Sequence, residues 1–594
     1  MPGKAARRWL VNRTNADYVE YVSRLASVSF PFAQILINRG LRSSTQIHAF
    51  LDPSLSSLSD PFELPGVAAA VARILRARTL GERVLVHGDY DADGVSATAL
   101  MVEGLRALDI ETSYFIPHRI EHGYGLGPAG VKRAREVGAG LIVTVDCGIT
   151  SFEAVETAKS LGIDVVITDH HEPLRKPKDG SPTPFGGIAA SLEEVPGDGE
   201  PMLPGAVAVV NPKLLPRAAA RTGAEQLSGA GVAFKVVQAL FDGRVEPVQG
   251  MLDLAAIGTG ADVVSLLGDN RVILREGLRL IRSAERPGIR ALKDASGLRP
   301  EFFRTSLLYY VLIPRINAAG RIADATDVVR LLTTRSDAEA EELAGNLNGL
   351  NARRQEIEES VYREALRMME SADRLAGAIV LAHEGWHQGV VGIVASKIAE
   401  QYARPTFVLS IQDGIARGSG RSIPAFDILE GLTLCNDVLR RFGGHRQAAG
   451  LSLNASDILR FTEMISSLAR ERLTDDDLVP TLVIDAAVKI SDVNFGLIEE
   501  LALLEPCGYG NEEPLLGARG LEVLQPRVVG NNHLKMSLRQ EGHTIDSIGF
   551  DFGGFFSQAE GQTLVDAAFL PMFNEWNGSR RLQLNVKALR PAAP

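Results

Sequence analysis

The stretch Val84-Leu-Val-His87-Gly-Asp89-Tyr-Asp91-Ala-Asp93-Gly94-Val-Ser-Ala-Thr-Ala-Leu100 limits what this chain can fold into more than any other segment. It starts as an apolar run of strand character and ends as a small-residue helical pattern opened by Gly94, with a histidine and three aspartates between. The pattern predicts strand, acidic loop, helix. Aspartate is a poor strand and helix former, and several in one turn repel each other unless a positive charge sits among them. A divalent cation accounts for all three, whereas an Asx turn with a helix N-cap accounts for one.

With 594 residues, the chain has room for three or four domains, each with its own core. No apolar run reaches the ~18 residues of a membrane span, and the basic start Met1-Pro-Gly-Lys-Ala-Ala-Arg-Arg-Trp has no apolar stretch behind it, so a cytoplasmic protein without membrane attachment is expected. Cys147, Cys435 and Cys507 show no C-x-x-C spacing, which excludes a disulfide framework and a thiolate zinc site. The net charge of -11 argues against a surface coated for non-specific nucleic-acid binding and leaves room for a local groove.

Strand and helix signals alternate after residue 64, with strands expected at 83–87, 112–116, 141–146 and 164–169, which predicts a parallel sheet flanked by helices. Three of these strands end in acid or imidazole: His87 with Asp91 and Asp93, then Asp146, then Asp169-His170-His171. In such a sheet all C-terminal strand ends share one edge, where ligands bind. The apolar segment Leu252-Asp-Leu-Ala-Ala-Ile-Gly-Thr-Gly260-Ala-Asp262 breaks at glycine and delivers a further aspartate, expected on the same edge. Hard divalent cations take oxygen ligands, and manganese also takes imidazole, so the set points to a two-metal hydrolase acting on a phosphoryl group.

The expected organisation is a helical N-terminal region (1–50), an α/β domain (51–335) with a Pro-, Gly- and Asp-rich surface insertion (172–204), a connector helix (336–374), a second α/β domain (375–478) and a β-barrel or sandwich (479–594). The connector opens with the capping box Ser336-Asp-Ala-Glu339 and places Leu343, Leu347, Leu350, Ile357 and Val361 on one face. The second α/β domain carries the Gly-rich segments Gly418-Ser419-Gly420-Arg421, expected as a loop, and Gly443-Gly444-His445.

His87-x-x-x-Asp91-x-Asp93, Asp146, Asp169-His170-His171 and Gly260-Ala-Asp262 resemble the four motifs of the DHH phosphoesterase superfamily. Gly443-Gly444-His445 and Ala448-Ala449-Gly450 resemble its associated C-terminal domain. Over most of its length the chain is similar to that superfamily's bacterial single-strand-specific exonucleases, which remove nucleotides from 5′ ends. The resemblance implies a DHH domain, a connector helix, a DHH-associated domain and an OB-fold-like barrel, with two divalent ions, Mn2+ or Mg2+. His87, Asp91 and Asp146 would hold one ion, and Asp93, Asp146, His170 and Asp262 the other, with Asp146 bridging. His171 would face the scissile phosphate, completing a catalytic set with Asp146 and His170, while Asp89 and Asp169 stand behind the ligands. Arg119, Ser419 and Arg421 would form a 5′-phosphate pocket, for which arginine's paired hydrogen bonds suit. Tyr124 would stack on a base, and Arg315, Asn317, Arg321 and His445 would follow the DNA backbone.

The expected activity is 5′ exonucleolytic release of mononucleotides from single-stranded DNA by a monomer, with single-strand-binding protein and a RecQ-type helicase as helpers in recombination and mismatch repair. Two rivals are a phosphodiesterase for short oligonucleotides or dinucleotides, which should not need a third domain, and a non-catalytic nucleic-acid scaffold. Against the scaffold, every ligand position holds a competent residue.

Overall fold

The computed structural model describes residues 7–176, 199–216, 223–298, 303–370, 377–556, 564–576 and 579–592. It divides into two compact units, Ser54–Leu478 and a second made of Met1–Pro53 with Val479–Pro594.

In the first unit, strands β1 (Arg83–His87), β2 (Thr112–Phe115), β3 (Ala139–Val145), β4 (Asp164–Thr168) and β5 (Ala208–Val210) form a sheet in the order β2-β1-β3-β4-β5. Every pairing is parallel. Val84–Val86, Leu141–Val143 and Val165–Ile167 are buried, because helices cover both faces of a parallel sheet. Chain order reverses direction across the sheet at β1, so the crevice between the C-terminal ends of β1 and β3 is the topological switch point. Helix α1 (Ala92–Arg106) leaves that crevice with Asp91 as its N-cap, whose carboxylate accepts the Gly94 N–H at 3.0 Å.

The fourth acidic segment, expected on the same edge as the three strand ends, does not itself end a strand. Leu252–Ala261 is a helix, α3, with Asp262 at its C-cap. It packs beneath the acidic loop so tightly that a Cβ on Gly258 would lie 2.4 Å from both Ala230 and Asp93 Oδ1. Helix α2 (Gly229–Leu240) aims its N-terminus at the same crevice.

A π-helical turn, Leu308–Leu312, runs into helix α4 (Ile313–Ile322). The 34-residue helix α5 (Asp337–Glu370) follows, about 51 Å long. Leu343 and Leu347 sit in the core of the first sheet's domain, and Val361 sits in a separate core with Trp386 and Val390. Half of the expected capping box forms: Ser336 Oγ accepts the Glu339 N–H, but the Glu339 carboxylate turns to Thr334 Oγ1 (2.6 Å) and Arg330 (2.7 Å). Beyond α5, strands β6 (Ile379–His383), β7 (Thr406–Gln412), β8 (Ile415–Arg421), β9 (Arg441–His445) and β10 (Ala448–Asn454) make a mixed sheet in the order β9-β10-β8-β7-β6, with helix α6 (Gln388–Tyr402) against it. Both Gly-rich segments therefore lie in strands, which corrects the expected loop at Gly418–Arg421. A Cβ on Gly418 would meet the Val408 carbonyl at 2.0 Å, so glycine there serves close strand packing.

In the second unit, Arg8–Val11 pairs in parallel with Thr481–Ile484. Helices Ala16–Ala26, Phe30–Asn38 and Ser44–Leu51 contribute Val22, Phe32, Ile35, Leu36 and Phe50 to the same core as Leu516, Leu534 and Phe569. Leu516–Val529, His533–Gln540, His543–Gly549, Ser579–Pro591 and Val565–Trp576 pair in that order and close back onto Leu516–Val529, a five-stranded barrel. The register of the first strand shifts between Leu524 and Arg527, where Gln525 has a φ of 50°, the kind of bulge that curls a strand around a barrel. Most of the insertion expected at 172–204 lies outside the described residues.

Candidate metal centre and anion pocket

The switch point of the first sheet gathers six carboxylates and three imidazoles. Asp93 is buried and accepts the Gly229 and Ala230 N–H groups at 2.7 and 2.8 Å, seated on the N-terminus of α2. Asp146 follows β3 in the left-handed region, φ 60°, and a Cβ on Gly229 would lie 2.3 Å from its Oδ1. Glycine at 229 is what lets the α2 N-terminus come this close. His170 Nε2 lies 3.1 Å from Asp146 Oδ1, 3.6 Å from Asp262 Oδ2 and 4.0 Å from Asp93 Oδ2.

Asp93 with His170 and Asp262 offers ligand atoms within 4.8 Å of one another, and so does Asp89 with Asp91 and Asp146. A third such group joins Asp146 to His170 and His171. His87 belongs to none of these groups among the described residues. Its buried ring lies against Phe115, with Nδ1 3.7 Å from the Cys147 thiol, and Gly130 leaves the space beside its Nε2. Asp89, expected behind the ligands, instead shares a group with Asp91 and Asp146.

Electrostatics mark this corner as incomplete without a cation. Burial, followed by the neighbouring carboxylates, pushes Asp93 and Asp146 far above the usual carboxylate range, and burial with Asp91 does the same to Asp89. Asp89 Oδ1, Asp146 Oδ1 and Asp262 Oδ2 are buried and accept no hydrogen bond from the described residues. Burial lowers His170 to about 4, leaving a neutral imidazole. Oxygen-rich, mutually repelling ligands with a neutral imidazole suit a hard divalent ion, and manganese in particular.

Asp169 behaves differently. Burial alone would raise it, but the charge and hydrogen bond of His171 hold it at about 2, and it also accepts the Ile149, His170 and His171 N–H groups. His171 is opposed by burial and raised by Asp169 to about 9, with Nδ1 2.7 Å from Asp169 Oδ1. The Tyr124 hydroxyl lies 2.9 Å from that nitrogen and donates to the Asp146 carbonyl at 3.1 Å, which leaves the Tyr124 ring half exposed.

A cluster of guanidinium groups adjoins the acidic corner. Tyr90, between Asp89 and Asp91, carries Arg119 4.0 Å above its ring, and Arg119 donates to the Gly320 carbonyl. Arg321, lowered to about 10 by burial and then by Arg119, donates to the Gly389 carbonyl at 3.2 Å. Ser419 Oγ and Arg421 Nη2 project from β8 toward Gly392 of α6, each 3.2 Å from where its Cβ would stand. Burial and Arg119 lower Arg421 as well, and burial followed by Arg421 lowers His445, which Asp262 opposes.

Like Arg321, Asn317 and Arg315, both expected along a DNA path, have internal partners. The Asn317 side-chain Oδ1 accepts the Ala92 N–H at 2.9 Å, bracing the start of α1, and Arg315 donates to Asn348 Oδ1 of α5 and to the Val311 backbone carbonyl. Sequence patterns missed Gly229, Ala230, Cys147 and Tyr90. Only Ser228-Gly-Ala-Gly231, a cap ahead of an apolar helix, offered a signal.

A doubly wound sheet with carboxylates and histidines converging at its switch point, followed by a second domain bearing arginines, defines a metal-dependent phosphoesterase of the DHH type. The family models agree: the DHH family N-terminal domain matches residues 83–185, the DHHA1 domain 375–471 and the RecJ OB domain 484–588. The single-stranded-DNA-specific exonuclease RecJ of Escherichia coli is 36% identical over 583 residues, 94% of this chain and 95% of that protein. Its Bacillus subtilis counterpart is 35% identical over 98% of this chain and 70% of that protein. The crystal structure of RecJ in complex with Mn2+ from Thermus thermophilus superposes with a TM-score of 0.81 at 32% identity, covering 100% of this chain and 81% of that one. The chain belongs to the RecJ family.

Proposed function

We propose that this chain removes mononucleotides from the 5′ end of single-stranded DNA, holding the terminal phosphate at Arg119, Arg321, Ser419 and Arg421 while the adjoining bond is cut at the acidic corner. Family membership makes it a metal-dependent, single-stranded-DNA-specific exonuclease. The observation that supports the polarity is the contiguity of the two clusters: Tyr90 lies between two of the aspartates and carries Arg119 on its ring.

Asp93, Asp146, His170 and Asp262 would hold one divalent ion, and Asp91, Asp146 and either Asp89 or His87 the other. Two such ions supply activation of water and neutralisation of charge on the phosphoryl group. The side chains do the rest. Asp169 holds His171 through Nδ1, so Nε2 is the atom left to face a phosphoryl oxygen. Tyr124 keeps the Asp146 backbone in place from the carbonyl side. Arg421 and Arg321 form charge-assisted hydrogen bonds to a terminal phosphate, for which neither has a carboxylate partner among the described residues.

The activity would serve recombination and mismatch repair in the cytoplasm, by a monomer working beside single-strand-binding protein and a RecQ-type helicase. Among the described residues no helix is long and apolar enough to cross a membrane. The test is a time course with Mn2+ on 3′-labelled single strands bearing a 5′-phosphate or a 5′-hydroxyl. Stepwise shortening that favours the phosphate is expected, and cutting restricted to dinucleotides would overturn the proposal.

A further inference from the structure

We infer that the buried polar layer Asn351, Arg354 and Glu358 on α5 is a register pin that sets product length, by fixing how far the phosphate-holding residues stand from the metal corner. The inference rests on the function proposed above and assigns positioning residues to it. From its midpoint on, α5 buries Leu347, Asn351, Arg354, Glu358, Val361 and Ala365, at strict spacings of four, three, four, three and four. This is the narrow seam of a coiled coil, where apolar residues are expected throughout. Leu347 belongs to the core of the first α/β domain, and Val361 and Ala365 to a core of the second. The three polar members of the seam stand where the helix passes from one domain to the other.

The layer is closed within α5 and onto α6. Arg354 Nη1 donates to Glu358 Oε2 and Nη2 to Asn351 Oδ1 at 2.6 Å, while Lys397 Nζ of α6 lies 2.5 Å from Glu358 Oε1. Glu358 is 5% exposed, a buried carboxylate that holds one cation on each of two helices. An apolar seam tolerates a slip of one turn, because each residue exchanges one apolar neighbour for another. A slip here would part Glu358 from Lys397 and strand a buried charge, so polar groups at seam positions fix register. Helix α6 packs on β8, with Gly392 against Ser419 and Arg421, and its Gly389 carbonyl accepts Arg321 from α4. Burial, and then neighbouring cations that include Arg354, lower both Arg315 and Arg321, so the layer stands directly behind the phosphate-holding side chains. The metal corner belongs to the other domain, to which Leu343 and Leu347 anchor α5. Moving α6 one turn along α5 would shift Ser419 and Arg421 about 5.4 Å relative to that corner, against roughly 3.4 Å of rise per nucleotide in one strand of B-form DNA. The register therefore selects which bond is cut while the 5′-phosphate is held.

The experiment follows the first fragment that the full chain releases, in Mn2+, from a single strand labelled at its 5′-phosphate. Two variants are compared with the wild type. Glu358→Gln keeps the shape and removes the charge, whereas Arg354→Met with Glu358→Leu and Lys397→Met makes the seam apolar and leaves no buried charge unpaired. The wild type should release mononucleotides alone. In each variant that folds, the share of dinucleotides and longer fragments should rise at least about tenfold, as displacement of the holder relative to the reacting bond predicts, while stabilisation by Mn2+ in thermal unfolding keeps its wild-type value. A merely structural role would lower the melting temperature and leave fragment length unchanged, and that result overturns the inference. So does a loss of Mn2+ stabilisation, which would place the effect at the metal corner, and so does failure of both variants to fold. A wild-type chain that releases no mononucleotides overturns the proposed function itself, whatever the variants do.

Discussion

The acidic corner and the arginine cluster are built on opposite principles. The carboxylates converge because strand ends and two helix termini bring short, dense motifs together, and much of their repulsion is left without a protein partner. Asp89, Asp146 and Asp262 each bury an oxygen that accepts no hydrogen bond from the described residues. The arginines come one at a time from segments spread over some three hundred residues. Each is held by backbone carbonyls or an aromatic ring: Arg119 by Gly320 and Tyr90, Arg321 by Gly389, and Arg421 by Gly420. A corner that stores repulsion sacrifices stability for metal binding; burial and Arg119 lower Arg321 and Arg421 too, so the arginines also repel one another, but their neutral partners satisfy N–H groups and keep the charge available to an anion.

The contrast is most easily broken at Asp146. Asp146→Asn should lower turnover by at least about a thousandfold, as expected for loss of a residue shared by two ligand groups. In chelator it should also raise the melting temperature, because one of several repelling buried carboxylates is gone. A variant that melts lower in chelator would show that the corner is not strained as described. Adding Mn2+ should stabilise the wild type and do so less for the variant, as measured by thermal unfolding.

Gly229→Ala comes next in expected size. Its Cβ would sit 2.3 Å from Asp146 Oδ1, so the carboxylate must move, and turnover should fall roughly a hundredfold, since displacement of about 1 Å costs that much at a reacting centre. Retained activity would mean that α2 can retreat. Arg421→Ala should act on the other corner alone: the preference for 5′-phosphate over 5′-hydroxyl should shrink about tenfold, the worth of one charge-assisted contact, with Mn2+ stabilisation unchanged. If Mn2+ stabilisation falls too, the two corners are not separable.

The smallest effect is expected at Asn317. Asn317→Ala removes the acceptor of the Ala92 N–H and should cost about 1 kcal/mol of stability, read from denaturant unfolding. A rise in KM for DNA with unchanged stability would instead make Asn317 a substrate contact and move it from bracing the acidic corner to serving the basic one.

Legibility in the sequence followed the same division. His87, Asp91, Asp93, Asp146 and Asp169-His170-His171 were visible because each closes an apolar run, and parallel strands share one C-terminal edge. Asp262 was visible by type and not by element: Leu252–Ala261 is short, apolar and glycine-broken, a pattern in which periodicity alone does not separate the helix found there from a strand. Ser419 and Arg421 lie in a strand and not in a loop, because their glycines answer to the neighbouring strand, which the local sequence does not contain. Asn317 stands beside a glycine and two arginines, which suggested a path for DNA; its bond to Ala92 joins residues 225 positions apart.

By itself the sequence determined the alternation of strand and helix, the acidic edge and the need for a cation there, since hydrophobic period and charge density are local properties of the chain. The tertiary structure alone decided that Asp93 sits on the α2 N-terminus, that Arg119, Arg321 and Arg421 adjoin the acidic corner, and that Arg8–Val11 pairs with Thr481–Ile484. Each of these joins groups that are distant in sequence, and their partners are set by backbone packing and by the absence of a Cβ at Gly229, Gly389 and Gly392. No local pattern encodes such a contact.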